Sequence, residues 1–240
     1  EYYDRYLVEF PIEDWRIKVG TGLIRGQMLS ELMHYYFWPA LAYKNFDEFP
    51  IPFRCVATDV RNGEALVFRD GSLPEALRAS MAIPTAFTAV ERDSNLLVDG
   101  GVVNNFPVEL AQAWGADYII GVNVGTKAVS EMPESMPDIL MKLSMLPSTK
   151  RLSQQIQDCD VYIQPNLEGF DAASFSDALE ILARGDSTGQ EYLPAFKQLA
   201  QKIGRTNVQP LPKIQETLID IEGIEIEGNH LFSKNLKSQM

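Results

Sequence analysis

An aspartate followed by two glycines is the feature of this sequence that points most directly to chemistry. Asp99-Gly100-Gly101 follows residues 96–98, an apolar run that predicts a short strand. Open α/β sheets place their active sites at the carboxyl ends of strands, and glycines let the chain turn sharply there. Asp99 would then sit on a rigid element and face a crevice. An Asx turn, in which the carboxylate only binds its own backbone, explains the same pattern equally well.

A serine between two glycines is the second chemical candidate. Gly185-Asp186-Ser187-Thr188-Gly189 fits the Gly-x-Ser-x-Gly pattern of a nucleophile elbow letter for letter. Such an elbow needs a strand before the serine and a helix after it. Residues 179–184 are helical in pattern instead. We therefore reject Ser187 as a nucleophile and predict a loosened turn within a long helix.

The elements around these candidates alternate between strands and helices, which predicts an α/β domain. Asn62-Gly63 is a strong hairpin signal between two strands. Strands are predicted over residues 52–60, 65–68, 96–98, 117–124 and 161–165, and helices over residues 27–42, 73–81, 136–156 and 176–203.

Three of these predictions concern burial or capping. The helix over residues 27–42 is expected to face the core, with a lid that meets acyl chains or a membrane as the alternative. The strand over residues 117–124 is nearly all apolar, so we expect it to be buried on both faces of a parallel sheet. Asn105 is expected to cap a helix whose first turn holds Pro107.

Composition and charge limit the partners. The chain has 240 residues and a net charge of −12, from 33 acidic and 21 basic residues. Such a surface repels phosphate backbones and gives no attraction to anionic lipid, so nucleic-acid binding is not expected and any membrane contact would be hydrophobic. With two separated cysteines, two histidines and no cluster of metal-ligand spacing, we expect no disulfide framework, metal or other cofactor.

Four stretches of the chain together carry a resemblance to a known family. They occur in order at residues 49–59, at residues 71–84, around Asp99 and at residues 115–117. Over residues 49–125 the chain resembles the second half of a patatin-like phospholipase domain. The resemblance implies a three-layer α/β/α fold, incomplete at its N-terminus. It also implies a Ser–Asp dyad that hydrolyses acyl esters of phospholipids or other lipids.

In that resemblance Asp99 is the dyad aspartate, and Gly100 and Gly101 complete its motif. Asp99 would take the proton from the serine during acylation and from water during deacylation. The family's nucleophile lies in a Gly-x-Ser-x-Gly upstream of the aspartate, and residues 1–98 contain no such motif. Ser187 follows Asp99, which is the reverse order. We therefore expect the nucleophile to lie outside this chain, and the chain alone to be inactive.

The C-terminal residues resemble another module. Residues 1–203 would form the patatin-like part, residues 204–216 a proline-containing linker, and residues 217–240 the start of a POTRA-like module. The second resemblance rests on residues 224–233, a strand ending in Gly-Asn before a helix. Patatin followed by POTRA resembles bacterial phospholipases fused to an outer-membrane β-barrel, which implies an envelope, outer-membrane or exported location. A non-catalytic passenger domain is the alternative.

Overall fold

A computed structural model describes residues 12–13, 16–17, 22–24, 26–125, 136–170 and 174–204. The strands are β1 (Ile12–Glu13), β2 (Arg16–Ile17), β3 (Gly22–Ile24), β4 (Cys55–Asp59), β5 (Glu64–Phe68), β6 (Thr85–Phe87), β7 (Val90–Arg92), β8 (Asn95–Asp99), β9 (Ile120–Val122) and β10 (Val161–Ile163). The predicted linker beyond Gly204 and the predicted POTRA-like module lie outside the described residues.

Helices occupy most of the remaining described chain. They are α1 (Gln27–Phe37), α2 (Leu73–Ser80), α3 (Gly101–Asn104), α4 (Val108–Ala113), α5 (Met136–Ser144), α6 (Leu146–Gln157), α7 (Ala178–Glu191) and α8 (Leu193–Ile203). Short 3₁₀ segments cover Trp38–Ala42, Phe46–Glu48 and Phe175–Asp177. The mixture of helices and sheets confirms the predicted α/β class and is consistent with a patatin-like α/β/α domain.

The largest sheet among the described residues carries Asp99. Its four strands run antiparallel in the order β5-β4-β8-β7. Strands β4 and β5 form the predicted hairpin, in which Asn62 Oδ1 accepts the Glu64 N–H and Gly63 has a φ of 71°. The two parallel pairs are β3 with β6 and β9 with β10.

Helix α2 covers this sheet and closes the main core. Ser72 caps the helix at its first turn, and the helix ends at Ser80, one residue before its predicted end and ahead of Pro84. The buried side chains between helix and sheet include Phe46, Ala57 and Leu97, each at 0% exposure. Asp99 is therefore the last residue of a strand, β8, whose apolar residues are fixed by close packing.

The expectation that the first long helix faces the core is wrong. Helix α1 has no buried residue, and five of its large apolar side chains are exposed. They are Met28, Leu32, Tyr35, Tyr36 and Phe37. The main contacts of α1 among the described elements are with α2 and with Trp38–Ala42, and they leave these apolar side chains exposed. None of the helices in the described part of the chain is long and apolar enough to cross a membrane.

The expectation that the strand near residue 120 is buried on both faces is also wrong. Strand β9 pairs with β10 in parallel, which confirms the prediction that this strand belongs to a parallel sheet. Gly121 is buried, but Ile120 and Val122 are 48% and 50% exposed. Burial of a strand face needs a layer packed against it, and no layer among the described residues covers this face.

The long C-terminal helix is interrupted at Pro194, as its sequence predicts, but the interruption predicted at Gly185 and Gly189 is wrong. Gly185 and Gly189 lie within continuous α7, so they do not open a turn. The break falls at Tyr192, two residues before Pro194. Proline lacks the N–H that would continue the helix, and it sits in the first turn of α8, where no such donor is needed.

Candidate functional site

The backbone of Asp99 is held on both sides by neighbouring elements. Asp99 pairs with Ala57 across β4, and its N–H donates to the Ala82 carbonyl at 2.9 Å. The Thr58 hydroxyl donates to the Asp99 carbonyl at 3.0 Å. The carboxylate is thus presented from a strand end whose own polar backbone groups are satisfied, which limits its movement.

One carboxylate oxygen of Asp99 is bound and the other is available. Oδ1 accepts the Gly101 N–H at 2.6 Å, which is the predicted Asx turn. No described residue donates a hydrogen bond to Oδ2. Burial raises the pKa of Asp99, and the Gly101 amide opposes this increase. A partly buried carboxylate with one anchored oxygen and one available oxygen is suited to accept a proton, so the Asx turn and a role as a base are compatible.

Gly100 is required because the chain passes directly over β4. A β-carbon built on Gly100 would lie 2.2 Å from the Val56 carbonyl oxygen and 2.7 Å from the carbonyl carbon. Both are backbone atoms, which cannot rotate away as a side chain can. The close approach of these two segments places Asp99 beside the core.

Gly101 is required for a different reason. A β-carbon on Gly101 would lie 3.0 Å from Asp99 Oδ1 and 2.8 Å from Asn105 Oδ1. The side chains of Asp99 and Asn105 therefore approach the same face of Gly101. Any larger residue would displace one or both of them, so the second glycine preserves the arrangement of polar groups at this strand end.

Asn105 does not cap α4, contrary to the sequence-based expectation. Helix α4 begins at Val108 after Pro107, and Asn105 instead follows the last residue of α3. The Asn105 N–H donates to the Ser148 hydroxyl of α6 at 2.7 Å. Proline at position 107 sets the turn between the two helices, so α4 begins later than the asparagine would suggest.

A buried polar cluster that the sequence analysis missed supports this turn. Asn104 Oδ1 accepts from Gln155 Nε2 at 3.0 Å, and Asn104 Nδ2 donates to Glu109. Gln155 Nε2 also donates to Glu109 Oε2 at 2.5 Å. These residues tie the chain after Asp99 to α6. The sequence could not predict this contact, because Gln155 is far from Asn104 along the chain and no local pattern in α6 distinguishes it from the other polar residues.

Part of this chain matches a known protein family. Residues 3–111 match the model of the family described as patatin-like phospholipase. This part of the chain is therefore similar to a patatin-like phospholipase domain. The match includes β4, β8 and the Asp99 turn.

Relatives of the patatin-like region come from bacteria and animals. An uncharacterized NTE family protein of Mycobacterium tuberculosis is 29% identical over 120 residues, covering 50% of this chain and 32% of the relative. The human patatin-like phospholipase domain-containing protein 6 is 29% identical over 114 residues, 47% of this chain and 8% of the relative. Neuropathy target esterase sws of Drosophila melanogaster is 23% identical over 216 residues, 78% of this chain and 15% of the relative. The chain therefore spans a third or less of the length of these relatives.

Ser187 lies outside the patatin-like match and within a helix. It is exposed and sits in the middle of α7, whose main contacts are with α8 and Phe175–Asp177. The turn that follows Asp99 contacts β4 and α6 instead. A helical serine with no preceding strand lacks the strained turn that exposes the hydroxyl of a nucleophile elbow.

Ser187→Ala is accordingly expected to leave any ester hydrolysis by a polypeptide containing this chain unchanged. The substitution also replaces a modest helix former by alanine, so the melting temperature should stay the same or rise slightly. Initial rates on a soluble acyl ester, compared with those of wild type, measure the first effect. Loss of turnover with an unchanged melting temperature would show that Ser187 is the nucleophile after all.

Proposed function

We propose that this chain supplies Asp99 to a Ser–Asp dyad that hydrolyses acyl esters of lipids. The observation that carries the proposal is the Asp99 carboxylate, held at a strand end with one oxygen anchored by Gly101 and one available. The patatin-like match over residues 3–111 supports a lipid ester as the substrate class.

The proposed reaction has two steps. In the first, Asp99 takes the serine proton while the serine oxygen bonds to the ester carbonyl carbon, and the alcohol oxygen leaves with the proton that Asp99 returns. In the second, Asp99 takes a proton from water, whose oxygen attacks the acyl-enzyme and releases the fatty acid, and the proton passes back to the serine. The raised pKa of Asp99 favours its use as a base, because a carboxylate of ordinary pKa attracts protons more weakly.

The serine is proposed to come from polypeptide that precedes these 240 residues in a longer protein. The patatin pattern places a glycine-rich oxyanion loop and Gly-x-Ser-x-Gly upstream of the aspartate, and residues 1–98 contain neither. The 240-residue chain alone should therefore be inactive, while the longer protein hydrolyses lipid esters.

Fluorophosphonate labelling and phospholipid hydrolysis test this proposal together. The longer polypeptide should be labelled at its upstream serine and should release fatty acid from phospholipid vesicles. The 240-residue chain should do neither under the same conditions. Turnover by the 240-residue chain, or absence of labelling and hydrolysis in the longer polypeptide, would contradict the proposed function.

A non-catalytic passenger domain is the second candidate. The observation in its favour is the absence of Gly-x-Ser-x-Gly before Asp99. The two candidates differ in one sequence feature, since the passenger requires that the motif be absent from the upstream polypeptide as well. Reading that sequence discriminates between them before any assay.

We also propose that the parent protein belongs to the bacterial cell envelope. The support is the POTRA-like pattern of residues 224–233, which would link the patatin-like part to an outer-membrane β-barrel. The exposed apolar side chains of α1 would meet a lipid surface by hydrophobic contact, since a net charge of −12 gives no attraction to anionic lipid. Recovery of the parent in the outer-membrane fraction would support this location, and recovery in the cytoplasmic fraction would contradict it.

A further inference from the structure

Asn105 is an exposed polar residue on a rigidly held turn. Its neighbours Asn104 and Phe106 are buried, at 4% and 7% exposure, whereas Asn105 itself is exposed. Its backbone N–H is fixed by the Ser148 hydroxyl, and Ser148 is 7% exposed. The two buried neighbours hold the backbone while the Asn105 side chain remains outside the core. This is how a scaffold presents a group for binding.

The Asn105 carboxamide lies near two glycines, each of which follows a strand. Gly101 follows β8, and a β-carbon built on it would lie 2.8 Å from Asn105 Oδ1 and 3.0 Å from Asp99 Oδ1. A β-carbon on Gly125, after β9, would lie 3.6 Å from Asn105 Nδ2. The side chain therefore lies between the residues that follow β8 and β9, two strands that belong to different sheets.

The chemistry of an amide suits a position beside a catalytic base. No described residue forms a hydrogen bond with the Asn105 side chain, so its N–H groups can donate to a ligand. A lysine or arginine in this place would lower the pKa of Asp99 and weaken it as a base. Burial and the Gly101 amide are the causes that set the pKa of Asp99, and neither is a neighbouring cation. A neutral donor binds an oxygen without this penalty.

We propose that Asn105 binds the alcohol part of the ester substrate, an inference that rests on the proposed function. Asp99 must return its proton to the leaving alcohol oxygen, so that oxygen lies next to the carboxylate during acylation. The Asn105 carboxamide approaches the Asp99 side of Gly101 through Oδ1, whereas its Nδ2 lies toward Gly125. Its N–H groups donate to an oxygen of the alcohol moiety that lies farther from the carboxylate than the leaving oxygen. In a glycerolipid this acceptor is a glycerol or head-group oxygen.

Two substrates that differ in the alcohol part test this assignment in the longer polypeptide. One is a short-chain phospholipid below its micelle concentration, and the other is a p-nitrophenyl ester of the same fatty acid, which lacks glycerol oxygens. Asn105→Ala should lower kcat/KM for the phospholipid about tenfold, mainly through KM, as expected for one lost hydrogen bond. The p-nitrophenyl ester should be hydrolysed at the wild-type rate.

Gln112→Ala is the matched control, because Gln112 is an exposed polar residue of nearby α4. It should change neither rate. An equal loss on both substrates would overturn the assignment and indicate that Asn105 only positions Asp99. Unchanged kcat/KM on both substrates would also overturn it. Absence of hydrolysis of either substrate by the wild-type polypeptide is a separate result, since it rejects the proposed function on which the assignment rests.

Discussion

Asp99→Asn is expected to lower lipid-ester hydrolysis by about 10³-fold in the longer polypeptide that carries the serine. An amide cannot take the serine proton, so acylation and deacylation both lose their base. The asparagine carbonyl can still accept the Gly101 N–H, which the Asp99 carboxylate accepts at 2.6 Å. The turn should therefore persist, and the loss should appear in kcat with little change in folding. Initial rates of fatty-acid release measure the effect.

Asp59→Asn is the matched control for this substitution. Asp59 ends β4, the strand paired with β8, and is 8% exposed. Its Oδ1 accepts the Arg61 N–H at 3.0 Å, the same turn geometry as at Asp99. Asparagine preserves that bond too, and hydrolysis should be retained. Full activity of Asp99→Asn, or equal losses in the two variants, would contradict a specific role for the Asp99 carboxylate.

The raised pKa of Asp99 gives a second readout of the same substitution. Burial is the main cause of the raised pKa. As the pH rises, Asp99 therefore loses its proton at a higher pH in the folded protein than in the unfolded chain. The charged carboxylate therefore lowers stability above the folded pKa, and this penalty disappears below the unfolded value of about 3.9. Asp99→Asn should be more stable than wild type near pH 7, and the difference should vanish at acid pH. Urea unfolding of the 240-residue chain across pH measures it. A wild type that is the more stable at pH 7 would contradict the burial argument.

Gly100→Ala is expected to destabilise the protein by about 3 kcal/mol, at the upper end for overpacking. The added β-carbon would lie 2.2 Å from the Val56 carbonyl oxygen, which is far inside any allowed contact. Gly100 has a φ of −63° and a ψ of −26°, values that alanine adopts freely, so the expected loss is purely steric. Relief requires β4 or β8 to shift, and both carry core residues. The shift would also move Asp99.

Gly185→Ala provides the opposite result as a control. Gly185 lies within α7, and a β-carbon there would meet no atom within 4 Å. Alanine is the better helix former by about 1 kcal/mol, so this variant should be slightly more stable than wild type. Urea unfolding of the two variants compares these effects directly. A Gly100→Ala variant as stable as Gly185→Ala would show that β4 and β8 are not packed as closely as the structure indicates.

Local features of the chain determined many of the elements. Asn62-Gly63 predicted the hairpin because few other pairs adopt its turn. Pro84 predicted the end of α2, because the residue before a proline resists helical backbone angles. The Asp99 motif could also be recognised, since strand, carboxylate and glycines are contiguous. Each of these signals acts over a few residues, so no distant partner is needed to interpret it.

Only the tertiary structure decided which apolar surfaces are covered and which polar groups meet. The sequence could not show that α1 and one face of β9 are exposed, because burial depends on what packs against a face rather than on its composition. Nor could it show that Gly100 touches Val56 or that Asn105 approaches Gly101 and Gly125. Contacts between residues far apart in the chain arise when the sheets and helices pack, and local sequence signals carry no information about them.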